Sequence, residues 1–389
     1  MRPRASGAMS DSKEDVFAEN GPSVSVVTPT FKEAANLLAL ASRIRSAMEA
    51  EGIEWELILS DDDSGDGSEE IARTLGERLP VRMHVRRNRP RDLSEAVLDG
   101  IELARSDRLV VMDADLSHPP ERIADLLTAL DRGADMAIGS RYAPGGRIDD
   151  SWSRYRSLNS RVATWLARPL TPCADPMSGF FALDRRRLPA SNRLHPIGYK
   201  IGLELMVRGG LHVREVPIRF VDRRRGWSKL NWRQQAAFLR HLHRLYLFRF
   251  GLPFRVLSFG AVGASGLIID TTVYFALQRA GIDHLLSRFL SFWPAVTWNW
   301  RMNRLFTFHD RPRRARVDQW VRFAVASVVG LVTNVGSYAV LSSWVEPFAS
   351  HRLLALLAGV VIGSAANYVS ASRFAYRETV PARQSADRG

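Results

Sequence analysis

The stretch Arg108-Leu109-Val110-Val111-Met112-Asp113-Ala114-Asp115 decides the fold of the first two thirds of this 389-residue chain. Its four consecutive apolar residues are typical of a strand that is buried on both faces of a parallel sheet. The run ends at two carboxylates that stand two residues apart. Because alternate side chains of an extended segment point the same way, we expect Asp113 and Asp115 to face one divalent cation where the strand ends.

Units of strand, polar loop and helix precede this stretch, and a helix follows it. The apolar runs at 24–27 and 57–59 end in Thr28-Pro29-Thr30 and Ser60-Asp61-Asp62-Asp63, and a helical pattern follows each run, the second capped by Ser68. The other predicted elements are a strand at 81–85 and helices at 92–104 and 121–131. This alternation predicts right-handed βαβ crossovers and an α/β fold with a mainly parallel, Rossmann-like sheet. Ligands of such sheets bind beyond the carboxyl ends of the strands, where these polar clusters lie.

Composition and charge narrow the class of protein. The chain has a formal net charge of +13 and one cysteine, Cys173, so no intrachain disulfide is expected. Its arginines concentrate at 223–225, 233–255 and 311–316, beside apolar runs that begin near residue 254. Anionic membrane headgroups suit this pattern better than nucleic acid, which we exclude as a partner. Residues 1–22 are polar and lack the apolar core of a signal peptide, so we expect a disordered tail.

Six motifs follow one another between residues 23 and 235. They are Val-Thr-Pro-Thr-Phe-Lys-Glu-Ala-Ala-Asn-Leu from 27, Asp-Asp-Asp-Ser-Gly-Asp-Gly from 61, Asp-Ala-Asp-Leu-Ser-His-Pro-Pro-Glu from 113, Gly-Ser-Arg-Tyr from 139, Ser-Gly-Phe-Phe-Ala from 178 and Phe-Val-Asp-Arg-Arg-Arg-Gly-Trp-Ser-Lys-Leu from 220. In order and spacing they resemble the dolichol-phosphate mannose synthases, which are inverting GT-A glycosyltransferases. The resemblance implies a divalent cation (Mg²⁺ or Mn²⁺), a nucleotide-sugar donor, preferably GDP-mannose, and a dolichyl or polyprenyl phosphate acceptor.

The resemblance also implies roles for individual residues. Donor contacts fall on Pro29, Phe31, Glu33, Ser60, Asp62, Asp113, Ala114, Asp115, Lys200, Arg223 and Lys229. The acceptor phosphate falls to Arg141, Arg156 and Ser160, the metal to Asp113, Asp115 and Ser117, and catalysis to Asp115, Arg141, Arg223 and Lys229. Ser117 stands where relatives can carry a Gln, a better ligand, which leaves the preferred metal open. His118 is typical of a loop residue and Glu204 of a helix that faces the site, and neither is given a role.

The chemistry of the acceptor agrees with this set of residues. A phosphate monoester already carries a charge of about −1.5 to −2 at neutral pH, so it is a nucleophile without a strong general base. The absence of a Ser-His or Cys-His arrangement is therefore expected. What such a site must supply is positive charge that brings two anions together and holds them in line.

The last third of the chain predicts a membrane domain. Apolar stretches at 254–278, 289–308, 321–345 and 353–374 are each long enough to cross the bilayer, the second being the weakest because it contains Arg301 and Arg304. The basic loop at 311–316 predicts that this loop and the catalytic domain lie on the cytoplasmic face. We therefore expect a tail at 1–22, a GT-A domain at 23–230, an interfacial amphipathic region at 231–252, a four-span membrane domain at 253–376 and a tail at 377–389.

The membrane domain also contains an internal repeat. Arg255, Phe259 and Gly263 are predicted to correspond to Arg322, Ala326 and Gly330, and Asn299, Phe306 and Phe308 to Asn367, Phe374 and Tyr376. The duplicated pair of helices is similar to the GtrA-like domain that is fused to some transferases. Asp270 lies within the first span, where a charge is costly, so a partner or a polar cavity is expected.

Several alternatives remain open on the sequence alone. The donor could be UDP-glucose, and the membrane domain could move a lipid-linked sugar while the first domain loads it. A processive polysaccharide synthase is disfavoured because no Gln-x-x-Arg-Trp motif precedes the apolar helices. The length of the lipid and the oligomeric state stay undetermined, and a homo-oligomer is among the states that the sequence allows.

Overall fold

The computed structural model describes residues 21–149, 154–190, 194, 196–221, 232–312 and 314–377. Two compact units divide the chain between residues 249 and 250. In the described residues, the first unit is a sheet covered by helices, and the second is made of long helices.

The first unit is an α/β layer structure around one large sheet. Its strands are β1 Val24–Thr30, β2 Trp55–Asp61, β3 Val81–Val85, β4 Arg108–Val111, β5 Met136–Ser140, β6 Arg147–Ile148, β7 Phe181–Asp184, β8 Val213–Pro217 and β9 Arg219–Phe220. Its helices are α1 Ala34–Ala50, α2 Ser68–Gly76, α3 Leu93–Leu103, α4 Ile123–Asp131, α5 Arg154–Ala167, α6 Ile201–Gly209 and α7 Trp232–Phe250, with short 3₁₀ turns at Pro120–Arg122 and Arg185–Arg187.

The seven-stranded sheet has the order β3-β2-β1-β4-β7-β5-β8. The pairs β1–β2, β1–β4, β2–β3 and β5–β8 are parallel, and β7 runs antiparallel to both β4 and β5. Strands β6 and β9 form a separate parallel pair. The prediction of a mainly parallel sheet is confirmed, and the carboxyl ends of β1, β2 and β4 lie at one edge, as parallel pairing requires.

The loops after these strands are held in a strained conformation. Three non-glycine residues beyond β1, β2 and β4 have positive φ angles, namely Lys32 (59°), Asp63 (53°) and Leu116 (63°). A left-handed leucine is unusual and costs about 1–3 kcal/mol unless its surroundings enforce it. Leu116 packs partly buried against the core beneath the sheet, which holds the chain after Asp115 in its turn.

The predicted cap of α2 is wrong by one residue. Gly67 is the N-cap, and Ser68 instead donates through its backbone nitrogen and its hydroxyl to Asp66. Asp66 also accepts from the backbone nitrogen of Ala34 at 3.1 Å, so it ties the loop after β2 to the loop after β1. Asp66 therefore bonds both to the start of α2 and to a residue more than thirty positions earlier in the chain.

Helices α5, α6 and α7 pack together through their apolar faces. Phe238, Leu242 and Leu245 of α7 are buried in one cluster with Ala167 of α5 and Leu203 of α6. Within the same layer Glu204 pairs with His241, with Oε2 and Nε2 2.8 Å apart and both side chains buried. Helix α7 therefore has one face inside the first unit, while Trp232, Leu239 and Phe248 on its surface are exposed.

The described part of the second unit, residues 250–312 and 314–377, contains four long helices. They are α8 Leu252–Arg279, α9 His284–Leu305, α10 Arg316–Trp344 and α11 Arg352–Ser370, which continues into a π-helical turn at Ala371–Ala375. Among the residues that the structure describes, three helices, α8, α10 and α11 with its π turn, are long and apolar enough to cross a membrane. Helix α9 does not qualify, since its 22 residues include Arg288, Arg301 and Arg304. The fourth span stays a prediction.

Contacts between these helices differ between the two halves of the predicted repeat. A Cβ added to Gly330 would lie 2.6 Å from Cβ of Asn367, whereas one added to Gly263 would meet nothing within 4 Å. In the first half it is Gly266 that faces an asparagine, since its added Cβ would lie 2.1 Å from Oδ1 of Asn299. The correspondence of Gly263 with Gly330 stays a prediction.

Asp270 has polar partners, as expected for a carboxylate within an apolar helix. Its carboxylate accepts from Arg288 Nη1 and from Ser291 Oγ, the latter at 2.7 Å, both on α9. The acid is buried, whereas the arginine is largely exposed. The pair links α8 to α9 near the loop that joins them.

Candidate functional site

A cleft of about 300 Å³ opens at the carboxyl ends of β1, β2 and β4. The residues from the sequence prediction that line it are Pro29, Phe31, Glu33, Asp62, Asp113, Ala114, Asp115, Arg141, Arg156, Ser160 and Lys200. Segments that are far apart in sequence meet here because the parallel pairing of β1 with β2 and β4 aligns their ends.

Asp113 and Asp115 differ in exposure. The Asp113 side chain is 32% exposed, whereas Asp115 is buried. The Oδ1 atom of Asp115 accepts from both the backbone nitrogen and the hydroxyl of Ser117. These bonds turn Ser117 toward the carboxylate, and Ser117 does not line the cleft. Ser117 therefore orients Asp115 in this structure, and its ligation of the metal stays a prediction.

The carboxylates fit a hard divalent cation. Among the described residues no three His, Cys, Asp or Glu side chains are grouped as a closed metal site. Two carboxylates with room beside them are nonetheless the usual protein contribution to a Mg²⁺ or Mn²⁺ ion whose other ligands are substrate phosphates and water. The oxygen-only donor set does not distinguish the two metals.

His118 lines the cleft beside Asp113. Its Nδ1 atom accepts a hydrogen bond from the backbone nitrogen of Asp113 at 3.1 Å. The ring stacks on Phe180, with centroids 5.4 Å apart, and meets the edge of Phe220 at 5.6 Å. Burial lowers the pKa of His118, against the opposing charge of Asp113. The neutral ring is therefore favoured, with its proton on Nε2.

Arg141 is fixed by a buried carboxylate. Its Nε and Nη2 atoms donate to Asp175 at 2.8 and 2.7 Å, and its backbone nitrogen donates at 2.9 Å. The side chains are 9% and 0% exposed. Burial opposes the charge of Arg141, but the hydrogen bonds to Asp175 outweigh it and raise the pKa of the guanidinium. The ring of Phe220 lies 5.2 Å below the guanidinium carbon.

Lys200 is a second cation of the cleft and is partly buried. Its Nζ atom donates to the carbonyl of Met177 at 2.7 Å and lies 4.6 Å from the centre of the Tyr199 ring. Burial, helped by the charge of Arg141, lowers the pKa of Lys200 to about 8. The Lys200 amine is therefore mostly protonated at neutral pH and loses its proton at a lower pH than an exposed lysine does.

The donor side of the cleft is organised by the loops after β1 and β2. Asp62 lines the cleft and accepts from Arg86 Nη1, while Arg86 Nε donates to Asp99 at 2.8 Å. Arg91 lies over the ring of Phe31, with its guanidinium carbon 4.3 Å from the centroid. Asp61 points inward and accepts from Ser64 and Thr30. Of the three consecutive acids, Asp62 is the one that borders the cleft.

The opposite wall comes from α5. Arg156, Asn159, Ser160 and Ala163 of this helix line the cleft. The hydroxyl of Tyr142 donates to Ser160 Oγ at 2.9 Å, which links α5 to the loop that carries Arg141. The three residues predicted to hold the acceptor phosphate are therefore on one side of the cleft.

Of the predicted residues that the structure describes, two are not among those lining the cleft. Ser60 is fully buried at the end of β2, and Ser117 bonds to Asp115. Arg223 and Lys229 lie outside the described residues, and their roles stay predictions.

Sequence reasoning missed Asp175 and Arg86 and left His118 without a role. Arg86 follows the end of β3, so the rule that pointed to Asp62 and Asp113 could have found it. Asp175 had no such signal, because its loop precedes an antiparallel strand and only the folded chain brings it to Arg141.

Comparison with known proteins adds the following similarities. Residues 25–188 match the model of "Glycosyl transferase family 2", and residues 258–376 match "GtrA/DPMS, transmembrane domain". A dolichol-phosphate mannosyltransferase of Pyrococcus furiosus is 37% identical over 352 residues, which cover 89% of this chain and 97% of that protein. One of Mycosarcoma maydis is 41% identical over 239 residues, covering 59% and 81%. The crystal structure of glucosyl-3-phosphoglycerate synthase from Mycobacterium tuberculosis overlays with a TM-score of 0.44 at 20% identity, covering 60% and 81%.

Proposed function

The chain belongs to the dolichol-phosphate mannosyltransferase family, and on that premise we propose that it transfers one mannose from GDP-mannose to a dolichyl or polyprenyl phosphate with inversion. The observation that carries this proposal is a single cleft that holds two carboxylates just beyond β4 together with two cations, Arg141 with a 9% exposed side chain and the partly buried Lys200. Such a site can hold a diphosphate and a phosphate side by side.

The donor would bind along the ends of β1, β2 and β4. Asp113 and Asp115 would hold a divalent cation, which supplies positive charge to the diphosphate as its bond to the sugar breaks. Pro29, Phe31, Glu33 and Asp62 border the part of the cleft left for the nucleoside. Lys200 adds a charged donor whose hydrogen bond to Met177 fixes its direction.

The acceptor would bind against α5. Arg156 and Ser160 offer a cation and a hydroxyl, and Arg141 adds a guanidinium that Asp175 and Phe220 hold in place. An arginine fixed in this way loses little entropy when it binds a phosphate oxygen. The lipid phosphate would then attack the anomeric carbon from the face opposite the nucleotide, which inverts its configuration.

The second unit would anchor the enzyme in the bilayer. We propose that α9 crosses with α8, α10 and α11, and that the loop with Arg311, Arg313, Arg314 and Arg316 faces the cytoplasm with the catalytic unit. Helix α7 would lie at the headgroup level, since its exposed Trp232, Leu239 and Phe248 alternate with arginines.

The test is a transfer assay with the purified full-length chain. GDP-[¹⁴C]mannose or UDP-[¹⁴C]glucose is mixed with a short polyprenyl phosphate, with Mg²⁺, with Mn²⁺ or with excess chelator. We expect solvent-extractable label from GDP-mannose only when a cation is present. Label from UDP-glucose instead would show that the donor is wrong, and full activity under chelation would remove the metal from the mechanism.

Asp115→Ala is the matching variant, with Asp125→Ala as its control. Asp115 lies in the turn beyond β4 and not in the apolar core, so the variant should fold but lose transfer, by at least about 10²-fold, the scale of removing a group that stabilises developing charge. Asp125 is an exposed acid on α4 and pairs only at the surface with Arg122. Equal turnover in both variants at saturating donor would contradict the assignment of Asp115.

A further inference from the structure

Asp113 has a backbone nitrogen that must find an acceptor. The residue follows Met112, which lies just past β4 and still donates through its backbone nitrogen to the carbonyl oxygen of Val27 at 3.1 Å. This nitrogen is part-buried, and backbone donors that are shielded from water are almost always paired, because an unpaired one loses hydration without compensation. For Asp113 the acceptor is not another strand but Nδ1 of His118 at 3.1 Å.

The ring that supplies this acceptor is itself held from two sides. Phe180 stacks on one face of His118 with an interplanar angle of 18°, and Phe220 meets it edge-on. On the cleft side Gly179 leaves space that a side chain would fill. A Cβ there would lie 3.2 Å from Asp113 Oδ2 and 3.5 Å from Cε1 of His118. The carboxylate of Asp113 is thus flanked by a fixed ring and by a residue without a side chain.

Such a support decides where the Asp113 carboxylate points. The hydrogen bond fixes the peptide plane from which the side chain leaves, and with it the direction of the oxygens. Without the acceptor, the peptide between Met112 and Asp113 gains by rotating toward water, and the carboxylate turns with it. A carboxylate that must first be oriented when the cation arrives binds it more weakly than a carboxylate that is already held in the binding orientation.

We propose that His118 is a positioning residue that aims the Asp113 carboxylate at the cation through its Nδ1 acceptor, without contacting the cation. This inference rests on the proposed function for the identity of the metal site. It gives a role to His118, which received none from the sequence motifs or from the similarity to known proteins.

The test uses three substitutions that separate the acceptor from the ring. His118→Asn puts an amide oxygen near the place of Nδ1, His118→Gln puts one near the place of Nε2, and His118→Phe keeps the stacked ring without any acceptor. Binding of Mn²⁺ is measured from the electron paramagnetic resonance signal of the free ion, with GDP and, separately, with UDP present. This readout needs neither sugar nor lipid, so it stands even if mannose transfer is not found.

We expect His118→Gln and His118→Phe to weaken Mn²⁺ binding by about 10- to 100-fold, the usual effect of removing a residue that orients a ligand. His118→Asn should stay within about 3-fold of the wild type, and Asp113→Asn serves as the reference for a lost ligand. Transfer by His118→Gln should recover at high Mn²⁺ concentration, which splits metal affinity from turnover.

Two outcomes overturn the proposal. The first is Mn²⁺ binding by His118→Phe that equals the wild type, which would show that no acceptor is needed. The second is a loss in His118→Asn as large as in His118→Gln, which would make the ring itself, or Nε2, the essential group. Thermal unfolding is followed for each variant. If His118→Phe does not fold, the comparison of Asn with Gln decides, since both have the same side-chain amide.

Discussion

Replacing Arg141 by alanine tests whether the Arg141–Asp175 pair is part of the fold as well as of the site. The change removes two hydrogen bonds of 2.7 and 2.8 Å and leaves the fully buried Asp175 carboxylate without its guanidinium. Removing one partner of a buried ion pair costs about 3–5 kcal/mol. At about 2–4 °C per kcal/mol for a unit of this size, the melting temperature should fall by roughly 6–20 °C.

The assay is thermal unfolding of the purified protein, followed by tryptophan fluorescence. Arg122→Ala is the control, because Arg122 pairs with Asp125 at 2.7 Å while both side chains are about half exposed. An exposed pair of this kind contributes about 0–1 kcal/mol, so the control should melt within a few degrees of the wild type.

Asp175→Asn, alone and combined with Arg141→Ala, tests whether the two side chains stabilise the fold as a pair. Asp175→Asn alone should destabilise, since it removes the charge that Arg141 needs. Added to Arg141→Ala, the same change should stabilise, because it neutralises a buried carboxylate that has lost its partner. The reasoning is refuted if Arg141→Ala melts with the wild type, or if Asp175→Asn lowers the melting temperature further in the Arg141→Ala background. A stable but inactive double variant would then assign Arg141 a separate role in transfer.

Two further predictions concern Lys200 and the membrane unit. Lys200 binds an anion only while protonated, so with a pKa of about 8 the KM for the sugar nucleotide should rise about fivefold between pH 8 and pH 9. Lys200→Arg, charged throughout this range, should show no rise in the same kinetic assay, and parallel profiles would contradict the role of Lys200. Gly363→Ala should destabilise the helical unit by about 1–3 kcal/mol, because its Cβ would lie 2.8 Å from the carbonyl oxygen of Gly330 and 2.9 Å from Cα of Asn334. Gly263→Ala, which meets open space, is the control in detergent melting, and equal melting of the two variants would contradict the helix packing.

Local pattern was sufficient for the elements that carry the site. The run from Leu109 to Met112 predicted a buried strand, and the alternation of strands and helices predicted a parallel sheet with polar residues at its carboxyl edge. Both are determined by short-range geometry, since the period of side chains in a strand and the handedness of a crossover do not depend on distant residues. The cleft-lining positions of Asp62, Asp113 and Asp115 follow from that rule.

Pattern was insufficient where a residue acts through a distant partner. In the predicted repeat of the membrane unit, only the folded helices show that Gly330 meets Asn367 while Gly263 meets open space and Gly266 faces Asn299. The charge of α9 likewise leaves three qualified spans where apolar length suggested four.

The sequence by itself determined the α/β unit, its polar edge and the apolar helices that follow, because side-chain periodicity and the alternation of strands and helices depend on residues that are close in sequence. Only the tertiary structure decided that Asp175 holds Arg141, that His118 supports Asp113 and that Ser117 turns toward Asp115. These are choices among hydrogen-bond partners, and a buried polar group takes whichever partner the folded chain brings within about 3 Å.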